Sequence, residues 1–219
     1  MMSRMTASRS EKILSLLYDF YGETVPDLHF KNIYQLAISV VLSAQTTDRQ
    51  VNGVTGRLFE KYPDFRSLGE ADYSDVEEIV RSTGFFRAKA KNIIDLSRMI
   101  VSKFGGVLPD TLDQLVELPG VGRKSANVIL SIGYGIPGLA VDTHVARISN
   151  RLGYINSSSP AEIEKKLCSI IDPSDWKKTH LLFIKHGRAI CRARHPECGI
   201  CPVSKLCDYY KEISVNIKS

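Results

Sequence analysis

The chain has 219 residues, enough for one large domain or two modest ones with a conventional core, so neither cofactor nor partner is required for folding. Apolar residues make up 43% and charged residues 24%, which excludes disordered, collagen-like and disulfide-stapled chains. Lys and Arg number 29 against 24 Asp and Glu, a net +5 that permits a polyanionic partner without demanding one.

The first twelve residues, MMSRMTASRSEK, carry no apolar core segment, so no secretory signal is expected. Ile13, Leu16, Leu17 and Phe20 then recur at helical spacing, predicting a first helix over residues 10–21. The longest apolar stretch, residues 33–44, is interrupted by Gln35 and Ser39 and is too short to cross a bilayer; no membrane partner is expected. Helix starts are predicted where a capping residue stands three before a Gln or Glu: Thr47 with Gln50, Ser74 with Glu77, Thr111 with Gln114, and Ser159 with Glu162 after Pro160. Gly84 and the pair Gly105 and Gly106 read as stops, and GYGIPG over residues 133–138 as the clearest internal break. Strict alternation is hard to find, so the expected fold is all-α, with about ten or more short helices in two lobes.

Charge and cysteines are unevenly spread. Arg81, Arg87, Lys89 and Lys91 surround Phe85 and Phe86, and Lys177, Lys178, Lys185, Arg188, Arg192 and Arg194 fall in a stretch without acids. Such runs suit a phosphate backbone and unstacked bases, or equally a solvated helix face. Cys191, Cys198, Cys201 and Cys207 lie within seventeen residues as C-x6-C-x2-C-x5-C, a metal or cluster pattern. Structural zinc usually takes two close pairs of thiolates; one close pair here favours an iron-sulfur cluster on the same ligands. Cys168 stands apart in a helical pattern and reads as a small core residue.

The segment LDQLVELPGVGRKSANVILSIGYG reads as helix, Pro-Gly-x-Gly turn, helix. Gly120 and Gly122 suit a hairpin whose second helix offers its first amides to one phosphate, or a tight turn between core helices. Lys124 falls in the first turn of that helix, where the dipole disfavours a cation and favours the neutral amine; a plain phosphate contact is the simpler alternative. Asp142 opens the next helix, as its N-cap, which is compatible with a catalytic carboxylate.

LPGVGRK, VDTH with Asp142 eighteen residues beyond Lys124, and the cysteine pattern together resemble the endonuclease III family of helix-hairpin-helix DNA glycosylases. LSAQTTD from residue 42 and GFFRAKAKNI from residue 84 extend the resemblance over more than nine tenths of the chain. It implies a two-lobe all-α fold: a six-helix barrel over residues 27–134 with the hairpin at about 111–133, and a cluster lobe of residues 1–26 and 135–219 with the iron-sulfur loop at 191–207. It implies one 4Fe–4S cluster on the four cysteines, structural and DNA-positioning. It also implies removal of oxidised or ring-saturated pyrimidines from damaged duplex DNA: Lys124 attacks C1′, Asp142 assists, and the Schiff base undergoes β-elimination. Gln45 matches the residue that fills the space of the extruded base and Phe85 a wedge position, while their local readings are a helix-end amide and a core aromatic. Gly120, Gly122, Arg123, His144, Arg192 and Arg194 match DNA-contact positions, and Asp48 a pocket position. His195 and Glu197 stand where bacterial relatives carry basic residues.

A monofunctional glycosylase of the same superfamily lacks a lysine at the position of Lys124, and a non-catalytic DNA-binding module leaves Lys124 and Asp142 without joint purpose. An electron-transfer iron-sulfur protein ignores the hairpin. A monomer is expected, in the cytoplasm if bacterial, with nuclear or mitochondrial placement open if eukaryotic.

Overall fold

A computed structural model describes residues 5–216. The described residues form α-helices joined by short 3-10 and π segments, with no strand among them. In chain order the helices are α1 (Ala7–Tyr21), α2 (Ile33–Leu42), α3 (Asp48–Lys61), α4 (Phe65–Gly69), α5 (Tyr73–Val80), α6 (Phe86–Lys103), α7 (Leu112–Val116), α8 (Arg123–Val128), α9 (Thr143–Leu152), α10 (Pro160–Cys168), α11 (Trp176–Ala189) and α12 (Asp208–Asn216). No helix among the described residues is long and apolar enough to cross a membrane. Two compact units emerge: Pro26–Ile136, and Met1–Val25 with Pro137–Ser219.

In the unit Pro26–Ile136, α2 reads IYQLAISVVL, apolar all round, and every residue from Leu36 to Leu42 is buried. A helix with that composition belongs at the centre of its unit. It packs against α3, α6, α8 and the π segment that continues α8 over Ile129–Tyr134. Around it Leu58, Leu68, Ile93, Leu96, Ile100 and Leu115 are sealed from solvent, each contributing about 1.5–3 kcal/mol by burial. Thr47 closes a reciprocal cap with Gln50, and Thr111 caps α7. At α5 the expectation of Ser74 as cap is overturned. Asp72 fills that position, its Oδ1 accepting from the Ser74 and Asp75 amides, because the carboxylate is the stronger acceptor and binds the Ser74 hydroxyl as well.

The expected break at residues 133–138 is present, the helical chain ending at Tyr134. Gly133 lies inside the π segment; a Cβ there would stand 2.2 Å from Ile33 Cδ1 and 2.9 Å from Leu36 Cδ2. The glycine permits close packing on α2, and the chain turns at Gly135, with φ +68°.

In the other unit α1 starts at Ala7, three residues earlier than expected, because the Thr6 hydroxyl caps the Arg9 amide. Ile13 and Leu17 enter the core formed by Val145, Ile148, Leu152, Ile163, Leu167, Leu182 and Phe183. Arg9 Nη2 reaches the Leu152 and Leu206 carbonyls and Asp208 Oδ1 at 2.7 Å, fixing α1 to the chain around the last cysteine. Cys168 is half-buried against this core.

Candidate functional site

The hairpin belongs to the unit Pro26–Ile136. Leu115, Leu118 and Val121 are buried and pin the turn from beneath, with the Val121 amide donating to the Leu118 carbonyl at 3.0 Å. Gly120 adopts φ +78°, and a Cβ on it would stand 3.0 Å from both Asn92 and Val41, so both backbone conformation and close approach require glycine. Gly122 differs: it is the N-cap of α8 with φ −90°, and nothing crowds it. Gly122 brings no capping side chain to the first turn of α8, whose leading amides have no acceptor within the helix, the arrangement that suits an anion. Lys124 extends, exposed, from this first turn, and Arg123 beside it is exposed too.

Two loops of the same unit carry Gln45 and Phe85. Both residues are exposed, Phe85 by 70%, and both hold left-handed backbone, φ 52° and φ 46°. Each such non-glycine conformation costs about 1–3 kcal/mol and persists only where surrounding contacts enforce it. Phe85 is therefore no core aromatic, and Gln45 stands three residues beyond the end of α2. Thr46 and Thr83, next to these tips, are bound together: the Thr46 hydroxyl donates to the Thr83 carbonyl, and the Gln50 amide reaches the Ser82 carbonyl. Asp48 is half-buried at the start of α3.

The basic run around these loops is not a continuous phosphate-facing surface. Lys89 is buried, Arg87 lies 3.3 Å from Glu77, and Lys91 pairs with Asp95. In the later run Lys178 sits over the Tyr18 ring and 3.9 Å from Asp175, and Lys185 donates to the Tyr21 carbonyl.

In the unit built from residues 1–25 and 137–219, Asp142 is the N-cap of α9. Its Oδ1 accepts from the His144 and Val145 amides, each at 2.8 Å, leaving Oδ2 without a hydrogen bond among the described residues. Buried His180 braces the preceding segment through Nδ1 and the Ala140 carbonyl. Arg147 Nη2 donates to His144 Nδ1 and to the Gly187 carbonyl, and its Nε to the Cys191 carbonyl. Arginine only donates, so the contact with Arg147 is met by a neutral His144 ring. Burial agrees, lowering the His144 pKa against the opposing pull of Asp142.

Cys191, Cys198, Cys201 and Cys207 line one cavity with Arg151, His186 and the apolar Ile148, Leu152, Ile190 and Val203. Burial pushes the Cys201 thiol up to about 11, and the three neighbouring cysteines act in the same direction. Four thiolates gathered in such a place require a cationic metal centre among them, and the donor set fits an iron-sulfur cluster. Arg151, from the last turn of α9, holds the loop by donating to Cys191 Sγ at 3.3 Å and to the Arg192 and Ala193 carbonyls. Arg194 is exposed, whereas Arg192 is paired with Glu197 at 2.9 Å, so the acid that departs from the bacterial pattern offsets the nearest basic charge.

Comparison with known proteins places this arrangement in a class. The profile of the HhH-GPD superfamily, base excision DNA repair proteins, matches residues 38–173, and that of the iron-sulfur binding domain of endonuclease III matches residues 191–207. Endonuclease III of Synechocystis sp. is 44% identical over 200 residues, 91% of each chain. That of Bacillus subtilis is 42% identical over 198 residues, 90% of each chain. A solved structure described as a trapped endonuclease III–DNA covalent intermediate superposes with a TM-score of 0.90 at 41% identity, covering 96% of this chain and 99% of that one. The fold is that of helix-hairpin-helix DNA glycosylases, with an iron-sulfur loop.

Within that class the chain belongs to the endonuclease III family. It is a base-excision DNA glycosylase with the abasic-site lyase activity of the family, binds DNA, and carries a 4Fe–4S cluster.

Proposed function

We propose that Lys124 is the nucleophile and Asp142 its assisting carboxylate in the removal of oxidised or ring-saturated pyrimidines, thymine glycol among them, from damaged duplex DNA. The supporting observation is the hairpin: an exposed lysine in the first turn of α8, a helix start that Gly122 leaves without a capping side chain and that suits one backbone phosphate. The proton on the Lys124 amine passes to a carboxylate, for which Asp142 keeps Oδ2 free. The amine lone pair then forms a bond to C1′ while the bond from C1′ to the base breaks, and the base leaves with a proton. Ring opening gives the Schiff base; loss of a C2′ proton expels the 3′ phosphate, and water releases the lysine. Gly120, Gly122 and Arg123 hold the backbone, Gln45 and Phe85 enter the stack opened by base extrusion, and Asp48 borders the pocket. His144, Arg192 and Arg194 add DNA contacts, Arg192 with its charge offset by Glu197. The four cysteines hold the cluster, which fixes the loop from 191 to 207 and takes no part in the bond changes. The enzyme acts as a monomer in the cytoplasm.

Borohydride trapping on a duplex carrying one thymine glycol tests this reading. The parent protein gives a covalent adduct; Lys124→Ala gives none. Asp142→Asn slows the reaction by roughly 10²–10⁴-fold while keeping the fold, since asparagine caps a helix as well as aspartate. Base release by the parent without any adduct would refute the lysine assignment, and binding without reaction would leave a DNA-binding module.

A further inference from the structure

The sequence places Lys89 in a basic run, yet its side chain is only 4% exposed. Among the described residues no carboxylate pairs with it; the ammonium donates to the Thr46 hydroxyl and, at 2.6 Å, to the Thr83 carbonyl. Its own amide donates at 3.1 Å to the carbonyl of Phe85. One residue therefore binds the base of the loop carrying Gln45, the base of the loop carrying Phe85, and the Phe85 backbone itself. Gln45 and Phe85 are two of the three non-glycine residues with left-handed backbone among the described residues, and each lies within two positions of a threonine that Lys89 holds. A buried ammonium satisfied only by neutral oxygens is costly to retain, and burial lowers its pKa. A hydrophobic residue would fill the same space without that cost, so the charge is there to order the two loops.

We propose that Lys89 is a positioning residue for the DNA reaction, clamping the Gln45 and Phe85 loops into one two-pronged element that enters the stack. This rests on the reading of Gln45 and Phe85 as the residues that enter DNA. Without the ammonium, the loops are joined only by the Thr46 hydroxyl on the Thr83 carbonyl and the Gln50 side chain on the Ser82 carbonyl, and the prongs hold their spacing less firmly before DNA is met. The loss therefore falls on the step in which the damaged nucleotide is extruded, rather than on attraction to the backbone.

The test uses the cluster-loaded full chain. Lys89→Met removes the ammonium and keeps the stem, Lys89→Arg restores a cation, and Thr46→Val removes the hydroxyl that accepts from Lys89 and donates to the Thr83 carbonyl. Each is made alone and in a Gln45→Ala/Phe85→Ala background. Single-turnover rate and half-saturating concentration are measured on thymine glycol duplex, with 2-aminopurine opposite the lesion reporting loss of stacking, and affinity is measured for undamaged duplex. Lys89→Met is expected to lower the saturating rate about tenfold or more and to quench the unstacking signal. Affinity for undamaged duplex stays within about twofold, since no phosphate contact is removed. Lys89→Arg recovers part of the signal, and in the double background Lys89→Met adds no further loss. A loss that carries over undiminished into that background, or an equal loss of affinity for undamaged duplex, overturns the positioning role. If Lys89→Met does not fold, Thr46→Val must show the same pattern, and its absence overturns the proposal equally. If Gln45→Ala/Phe85→Ala leaves rate and unstacking intact, the reading of the prongs falls and the clamp with it; if that variant loses both and Lys89→Met neither, the clamp alone falls.

Discussion

The two hairpin glycines, alike in sequence, must respond oppositely to a single added methyl group. In Gly120→Ala the left-handed backbone costs about 1–2 kcal/mol, and a Cβ 3.0 Å from Asn92 and Val41 adds about 1–3 kcal/mol of overpacking. The narrower unfolded ensemble of alanine acts on the same balance with roughly 0.4–1 kcal/mol. The net loss is about 2–4 kcal/mol, a fall in Tm of roughly 4–16 °C for a chain of this size. Gly122→Ala meets no neighbouring atom and keeps an ordinary φ of −90°. Its cost is the weaker N-cap, within about 1 kcal/mol, so its Tm stays within about 4 °C of the parent. The new methyl instead stands at the uncapped start of α8, where it holds off a phosphate. Losing one hydrogen bond to a charged group, about 1.5–3 kcal/mol, weakens duplex binding roughly tenfold or more. Thermal melting and fluorescence anisotropy at fixed salt, run on both variants, check the pair. Unimpaired DNA binding by Gly122→Ala, or a Gly120→Ala protein that melts with the parent, would refute the reasoning.

Other consequences follow from burial and pairing. Because burial lowers the His144 pKa, the unfolded chain takes up that proton more readily than the folded one. The stabilisation is complete above the unfolded value of about 6.5 and is lost as pH falls through the folded value. Urea midpoints at pH 7 and pH 5 should therefore differ less in His144→Gln than in the parent. Tyr154→Phe strands the buried Ser10 hydroxyl, now 2.7 Å from the tyrosine oxygen, and should cost about 1–3 kcal/mol; an unchanged melting curve would contradict this. Cys201→Ala should forfeit the cluster and speed amide exchange over residues 191–216. The amides of α2–α6 should stay protected, since that unit has its own core; uniform acceleration would show that the units do not hold independently.

Features that depend on residues close in sequence were legible. Thr47 and Gln50 form the cap their spacing promised, and Asp142 opens α9 while leaving one carboxylate oxygen free. Where two local candidates competed, pattern alone misled: Asp72 displaced Ser74 because a carboxylate outbids a hydroxyl for two amides. Gly133 was legible only as part of the break over residues 133–138; that its small size also serves Ile33 and Leu36, a hundred residues earlier in the chain, was not. The burial of Lys89 had no local signal, since a lysine among Arg87 and Lys91 looks like surface charge until α6 is seen facing the Thr46 and Thr83 loops. The left-handed backbone of Phe85 was equally hidden, phenylalanine being a residue for which that conformation is costly.

The exposure of Phe85 separates what the loop must do to exist from what it presents. Its ring adds nothing to the packed interior, while the shape of its backbone is secured from below by residues that never reach the surface. Exchange of the ring for another side chain is therefore expected to leave the stability of the fold unchanged, so that any loss it causes is read on the reaction with DNA and not on folding.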